Sequence, residues 1–318
     1  KGKISGTIDA YQSKTKDLLM LVKIPTLTGF PNTYGNIGKT ENHGIEVTLN
    51  FTPVETESGF VWESSVNAAW QKDKIEELAY GKNDMVDNTW FIGQSISVQY
   101  GYDNLGLWQN TPEDLAEMDK FNTAAAAAAG VSIDKLTYKF TPGSVRPKDQ
   151  NGDYLMTAAD RVILGNSNPR WTMGWNNTFT YKGFELSTSL YGRMGYTASL
   201  GGEALTAHAN QRQVDYWTPD NPNAEFQKPV LGQATSGSVD QYAGLLGFTK
   251  ASFIKIRNIS LGYNFPKDFT SNIGLANLKV YAQAVNPGSI YQSLKWYDFD
   301  TDATYFNRSF VLGLQVGF

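Results

Sequence analysis

The sequence predicts an all-β chain, a transmembrane antiparallel β-barrel, and three observations carry that expectation. Apolar and polar residues alternate with period two in segments about ten residues long, close to the ~9–11 needed to cross a bilayer at a tilt. Tight turns alternate with two very long gaps, about 106–168 and 197–249, the rhythm of a barrel with short turns on one side and long loops on the other. Large flat side chains are abundant, with 17 Tyr, 17 Phe and 8 Trp, while only 18% of residues are charged.

Taken in order, the segments can be checked one by one. Ile4 to Ala10 alternates weakly. Ile45, Val47, Leu49 and Phe51 face one way and Glu46, Thr48, Asn50 and Thr52 the other. Phe60, Trp62, Val66, Ala68 and Trp70 oppose Glu63, Ser65, Asn67 and Gln71 across the short turn Thr52 to Gly59. Ile96 to Tyr102 alternates weakly again. Trp171, Met173, Trp175 and Phe179 oppose Arg170, Thr172, Asn176 and Thr178, and the tight turn Tyr181-Lys182-Gly183 leads to Phe184, Leu186, Leu190 and Met194 opposite Glu185, Ser187, Ser189 and Arg193. In Phe253 to Phe265, Ile254 and Ile256 lie on one parity and Ile259, Leu261, Tyr263 and Phe265 on the other, so a bulge is expected near Asn258. Leu278 to Ala284 and Phe306 to Phe318 complete about nine strands.

Strand direction adds a constraint. If the chain ends on the periplasmic side, both long gaps are extracellular and the turns at Thr52 and Lys182 are periplasmic. One strand between residue 72 and the gap after 106 then breaks the parity, so a tenth is expected within Ile75 to Trp108 or near Leu136 to Phe140. The oily faces are expected to meet lipid, with Glu46, Glu63, Glu185 and Arg193 pointing into the lumen.

Composition closes off other classes. A formal charge of −4 with no Lys/Arg run argues against a nucleic-acid partner, and the lack of cysteine removes disulfides, thiol catalysis and Cys-based metal sites. The mean hydropathy of −0.36 is uninformative for strands whose faces differ. Gly35 to Thr40 imitates the end of a phosphate loop, but Thr33 stands where an earlier Gly is needed and a strand follows in place of a helix. His43 and His208, expected in a turn and a loop, have no matching nucleophile or metal spacing, so no enzyme is expected. The start, Lys1-Gly2-Lys3-Ile4, enters a strand at once and reads as a cut edge.

Longer blocks resemble the SusC family (RagA/SusC-like) of TonB-dependent transporters from Bacteroidetes. They are Asn36-Ile37-Gly38-Lys39-Thr40-Glu41-Asn42-His43-Gly44-Ile45-Glu46, Asp149-Gln150-Asn151-Gly152-Asp153, Asp160 to Gly165, Trp217-Thr218-Pro219-Asp220-Asn221-Pro222 and Ser252 to Tyr263, in the family's order. The alternating end Phe310 to Phe318, closing on an aromatic, resembles the signal read by the barrel assembly machinery. Ala284-Val285-Asn286-Pro287-Gly288 departs from the Gln-Asn-Leu of many relatives and marks a subfamily. The resemblance implies a cell-outer-membrane importer with a barrel of 22 strands around an N-terminal plug. Residues 1–318 would hold its C-terminal half, roughly ten strands. Partners would be a SusD-like surface lipoprotein that delivers oligosaccharides or peptides, the TonB complex acting through the N-terminal region outside this chain, the remaining barrel and plug segments, and outer-membrane lipid. The alternative is a passive porin or surface adhesin on a barrel without energy coupling.

Two groups of residues are candidate sites, both in or near the long gaps. Asp149, Asn151, Asp153 and Asp160 stand at positions 1, 3, 5 and 12 of a calcium-loop pattern, with the Leu155 carbonyl at position 7. Tyr154 occupies the usual Gly position and Asp160 is shorter than the usual Glu, so the competing expectation is a loop tied by side-chain-to-backbone bonds. No cofactor is otherwise required. Trp108, Tyr216, Trp217, Trp296 and Tyr297 could stack on a sugar ring, against girdle or loop packing. Asp298, Asp300 and Asp302 alternate and are expected in a wet loop. Ala124 to Ala129 reads as a short helix.

Overall fold

The computed structural model describes residues 3–24, 26–79, 81–201, 213–229, 240–302 and 306–318, and divides into two compact units. The first unit, residues 1–97, 168–196 and 250–318, is built on one eight-stranded antiparallel sheet. Its strands, in chain order, are β1 (Ile4–Lys23), β2 (Asn32–Glu55), β3 (Val61–Glu77), β4 (Trp171–Tyr181), β5 (Phe184–Met194), β6 (Phe253–Asn264), β7 (Asn277–Gln292) and β8 (Ser309–Gly317). Each pairs with the next, so the sheet is a simple meander.

The register separates two faces with little mixing. Leu49, Val66, Trp175, Leu190 and Ile256 form a single cross-strand row, and Phe179, Leu186, Leu261, Ala282 and Leu312 form another on the same side. The opposite side carries Ser5, Asn50, Ser65, Asn176, Ser189 and Asn258 in one row across six strands. A sheet with one oily and one polar face, both long, is what alternating strands must give when every strand keeps its phase. Many oily-face side chains have nothing over them: Trp175 is 45% exposed and Leu312 85%.

One polar island interrupts the oily face. Ser64 and Asn177 pair across β3 and β4, and only 4% and 5% of their surface is exposed. Ser64 Oγ and Trp62 Nε1 donate to Asn177 Oδ1, each at 3.0 Å, and Trp175 Nε1 donates to Ser64 Oγ at 2.9 Å. Two tryptophans thus cover the groups they bond, which keeps polar atoms tolerable on an apolar surface.

The connections follow from local chemistry. Lys182 and Gly183 lie at φ 45° and 88°, the paired left-handed values of a type I′ turn, whose twist matches the flanking strands β4 and β5. The bulge expected near Asn258 is present: Ile256 pairs with Leu190 and Asn258 with Ser189, leaving Arg257 as the extra residue, and β7 shows the same shift. Its effect is to switch the outward parity from Ile254 and Ile256 to Ile259 and Leu261. The short helix α2 (Lys267–Asn272) lies in the β6–β7 connection, with Phe269 stacked on Phe265.

Three expectations need correction here. Eight of the nine expected segments build the sheet; the ninth, Val98–Tyr102, pairs instead with Arg161–Asn166 in the second unit. With that strand removed, β3 and β4 are neighbours and the parity closes without a tenth strand. Period-two alternation marks a strand but says nothing about which sheet it joins. His43 lies inside β2, beside Trp70 at 5.5 Å, and not in a turn; His208 lies outside the described residues. The first hairpin is also far longer than expected, with 20 residues in β1 and 24 in β2.

The second unit, residues 98–167 and 197–249, is drawn from the two long gaps. Helix α1 (Pro112–Ala129) is held at its start by Thr111, whose side chain accepts from the Asp114 N–H, and ends on Gly130 at φ 66°. It extends well before the alanine run, because Pro112, Glu113 and Asp114 suit a first turn. Trp108, Met118, Phe121 and Phe140 form one core, and Leu107, Val145, Trp217 and Leu245 another, with Tyr242 packed against both.

Candidate functional site

The polar face of the sheet carries a buried charge arrangement. Lys255 on β6 is almost fully buried, and its Nζ lies 2.5 Å from Asp298 Oδ2 and 3.6 Å from Asp300 Oδ2. Arg257 reaches the other oxygen of Asp300 at 2.7 Å. These contacts hold the segment after β7 against β6. The bulge makes them reachable: an extra residue at 257 lets Lys255, Arg257 and Asn258 share one side. Arg257 also lies over the ring of Tyr191 on β5 at 3.9 Å, and Arg193 donates from Nε to the Tyr191 hydroxyl at 2.9 Å. Farther along the same face Lys279 bonds Glu185 at 2.9 Å, while Glu46 and Glu63 are exposed.

The wet-loop expectation for Asp298, Asp300 and Asp302 therefore fails for the first two, which face buried or bonded cations. Their mutual repulsion is offset by Lys255 and Arg257 rather than by water. The sequence did contain the signal: two cations stand at Lys255 and Arg257 in a strand with no other charged residue, and two acids with the same spacing stand at Asp298 and Asp300. Separation along the chain hid the match.

In the second unit, the Asp149–Asp160 loop is laced to its own backbone. Asp149 accepts from the N–H groups of Asn151, Gly152 and Tyr154, Asp160 from those of Gln150 and Thr157, and Asp153 from that of Leu155. Asp160 is fully buried, and those donors hold its carboxyl below the usual carboxylate range although burial opposes this. Among the described residues no group of three Asp, Glu, His or Cys side chains is placed to hold a metal ion.

The five aromatics separate into three places. Trp108 is 1% exposed and Trp217 6%, both inside the two cores, so neither offers a ring face to a ligand. Arg146 also covers Trp108, its guanidinium 4.2 Å from the ring. Tyr216 is 43% exposed and lines an open cavity of about 450 Å³ with Gln213, Asp215, Thr218 and Asn221. Trp296 and Tyr297 meet edge to face at 5.8 Å in the segment that carries Asp298 and Asp300. The long gaps thus carry two apolar cores of their own.

No family model matches the chain. Comparison with curated proteins is informative. TonB-dependent receptor P3 of Formosa agariphila is 28% identical over 88% of this chain and 27% of its own length. TonB-dependent receptor SusC of Bacteroides thetaiotaomicron is 28% identical across 100% of this chain and 30% of its own length. The chain is SusC-like. It spans about a third of the length of the curated relatives it matches. Among solved structures, the RagAB peptide importer in its open-open state superimposes on the SusC-like chain with a TM-score of 0.69, covering 99% of this chain and 33% of that one at 20% identity. That likeness establishes the fold, part of an antiparallel β-barrel wall.

Proposed function

We propose that this SusC-like chain forms a C-terminal part of the wall of a TonB-dependent outer-membrane importer, which takes up oligosaccharides or peptides together with a SusD-like lipoprotein. The observation that carries the reading is the two-faced sheet: an oily surface across eight strands, interrupted by one internally bonded polar island, faces lipid, and the polar rows face a passage. In hydrocarbon every backbone polar group must be paired, so the outer edges of β1 and β8 call for further strands from the rest of the barrel. On the strand-direction argument above, the two long connections leave the sheet on the extracellular side, where cargo and lipoprotein arrive.

Uptake in cells that carry the full-length protein tests this reading. Radiolabelled oligosaccharides and peptides should enter in a manner that requires both the gene and the TonB complex. Uptake that needs the gene but survives loss of TonB would select the passive porin instead.

A further inference from the structure

We propose that Arg193 and Arg257, set about the ring of Tyr191 on the polar face, form a receiving site for an anionic oxygen group of the transported solute, a carboxylate or a sulfate. The inference rests on the importer reading, in which this face lines the passage.

Three cations, Lys255, Arg257 and Arg193, stand near three carboxylates, of which Asp298 and Asp300 bond the first two while Asp302 makes no ion pair with Arg193. Lys255 is taken up entirely by those two acids in a buried position. Arg257 shares Asp300 through one nitrogen and keeps 45% of its side chain exposed. Among the described residues Arg193 has no ion pair; its Nε donates to the Tyr191 phenol and its guanidinium also meets the Tyr196 hydroxyl, so its immediate partners are neutral. A guanidinium held by phenols and by no carboxylate keeps a fork that matches a carboxylate or sulfate with two parallel hydrogen bonds.

The placement is built rather than incidental. Tyr191 holds both guanidinium groups, one at 3.9 Å over its ring and the other at 5.5 Å. It is fixed in turn by Phe253, 6.0 Å away, and by pairing with Lys255 across the β5–β6 ladder. Arg257 points this way because it is the extra residue of the bulge, and bulges re-aim side chains at functional sites. Two like charges held beside one ring repel each other, and an incoming anion relieves that repulsion. A neutral solute gains nothing from it.

Tungstate is a suitable probe, being a dense tetrahedral dianion visible in a density map. The full-length protein, purified and imaged with 10 mM tungstate (roughly a hundredfold above a K_d of order 0.1 mM, about 5.5 kcal/mol of binding), should show a peak bonded to the terminal nitrogens of Arg193 and to Arg257. Arg193→Gln should abolish that peak, and Arg193→Lys should weaken it without loss. No peak in the wild-type protein, or a peak that survives Arg193→Gln, overturns the proposal. Uptake assays keep the two readings apart. An Arg193→Gln protein that still imports neutral solute but discriminates at least fivefold less in favour of its anionic counterpart supports the site. Unchanged discrimination refutes the site and leaves the importer standing, whereas loss of all uptake on deleting the gene's TonB coupling concerns the importer alone.

Discussion

Lys255 is a charge that folding has removed from water, and its stability depends on Asp298 and Asp300 staying in place. Removing one member of such a pair strands the other, at a cost of about 3–5 kcal/mol, whereas replacing both with apolar residues of similar volume is often close to neutral. Lys255→Met should therefore loosen residues 293–302, seen as faster amide exchange there, and Lys255→Met combined with Asp298→Leu should restore much of the protection. If the single and double variants exchange alike, the ion pair does not hold the segment. A second residue-scale expectation concerns Asp149, which caps three backbone N–H groups. Asp149→Ala should destabilise its turn by about 1–2 kcal/mol, and millimolar calcium should leave the wild-type loop's exchange unchanged because backbone donors already compensate its carboxylates. Extra protection on adding calcium would show that the ion binds there. The Asp/Asn spacing at 149–153 was legible as a tight polar turn, since each of those side chains bonds within five residues. The pairing of Lys255 with Asp298 was not, because it joins positions 43 apart.

Elements whose logic is local were readable in advance. The Lys182-Gly183 turn and the bulge at Arg257 both follow from neighbouring residues, the first from a Gly in a two-residue loop and the second from a break in parity. Elements defined by a distant partner were not. Val98–Tyr102 has the alternation of a wall strand yet joins Arg161–Asn166. The far halves of β1 and β2 lose their apolar rhythm between Tyr11 and Thr40 and are strands because each pairs with the other, with the irregularity near Asp17 at φ 57° absorbed on the way. Helix α1 gives the sharpest test at this scale. It contributes Met118 and Phe121 to a core that also contains Trp108 and Phe140. Phe121→Ala should cost about 3–5 kcal/mol, and the loss should fall on the second unit. Limited proteolysis should then cut within 98–167 while the eight-stranded sheet stays resistant; cleavage spread evenly over both units would contradict their division.

For the whole molecule, the two faces set the strongest expectation. Leu190 lies mid-row between Trp175 and Ile256 on the oily face. On the importer reading, Leu190→Arg near the bilayer midplane should destabilise the full-length barrel by about 2–4 kcal/mol, measured as a lower urea midpoint for unfolding from lipid vesicles. Ser189→Arg, one residue away on the polar face, should have a far smaller effect, and equal losses would mean the faces are misassigned. The fold class was visible because this alternation repeats along most of the chain, and resemblance blocks spread from Asn36 to Tyr263 placed it among SusC-like proteins. The second unit's cohesion was invisible, since one of its cores joins Leu107 and Val145 to Trp217 and Leu245 from a separate segment. That division also bears on the order in which the chain can assemble. Trp217 bonds Gln109 across 108 positions, with β4 and β5 lying between the two segments in the chain. Contacts so remote in sequence form late, after the intervening hairpin has shortened the loop to be closed. The second unit is thus a timer as well as a structure: the core that joins Leu107 and Val145 to Trp217 and Leu245 closes after β4 and β5 have zipped, whereas Trp108, Phe121 and Phe140 can meet within one segment.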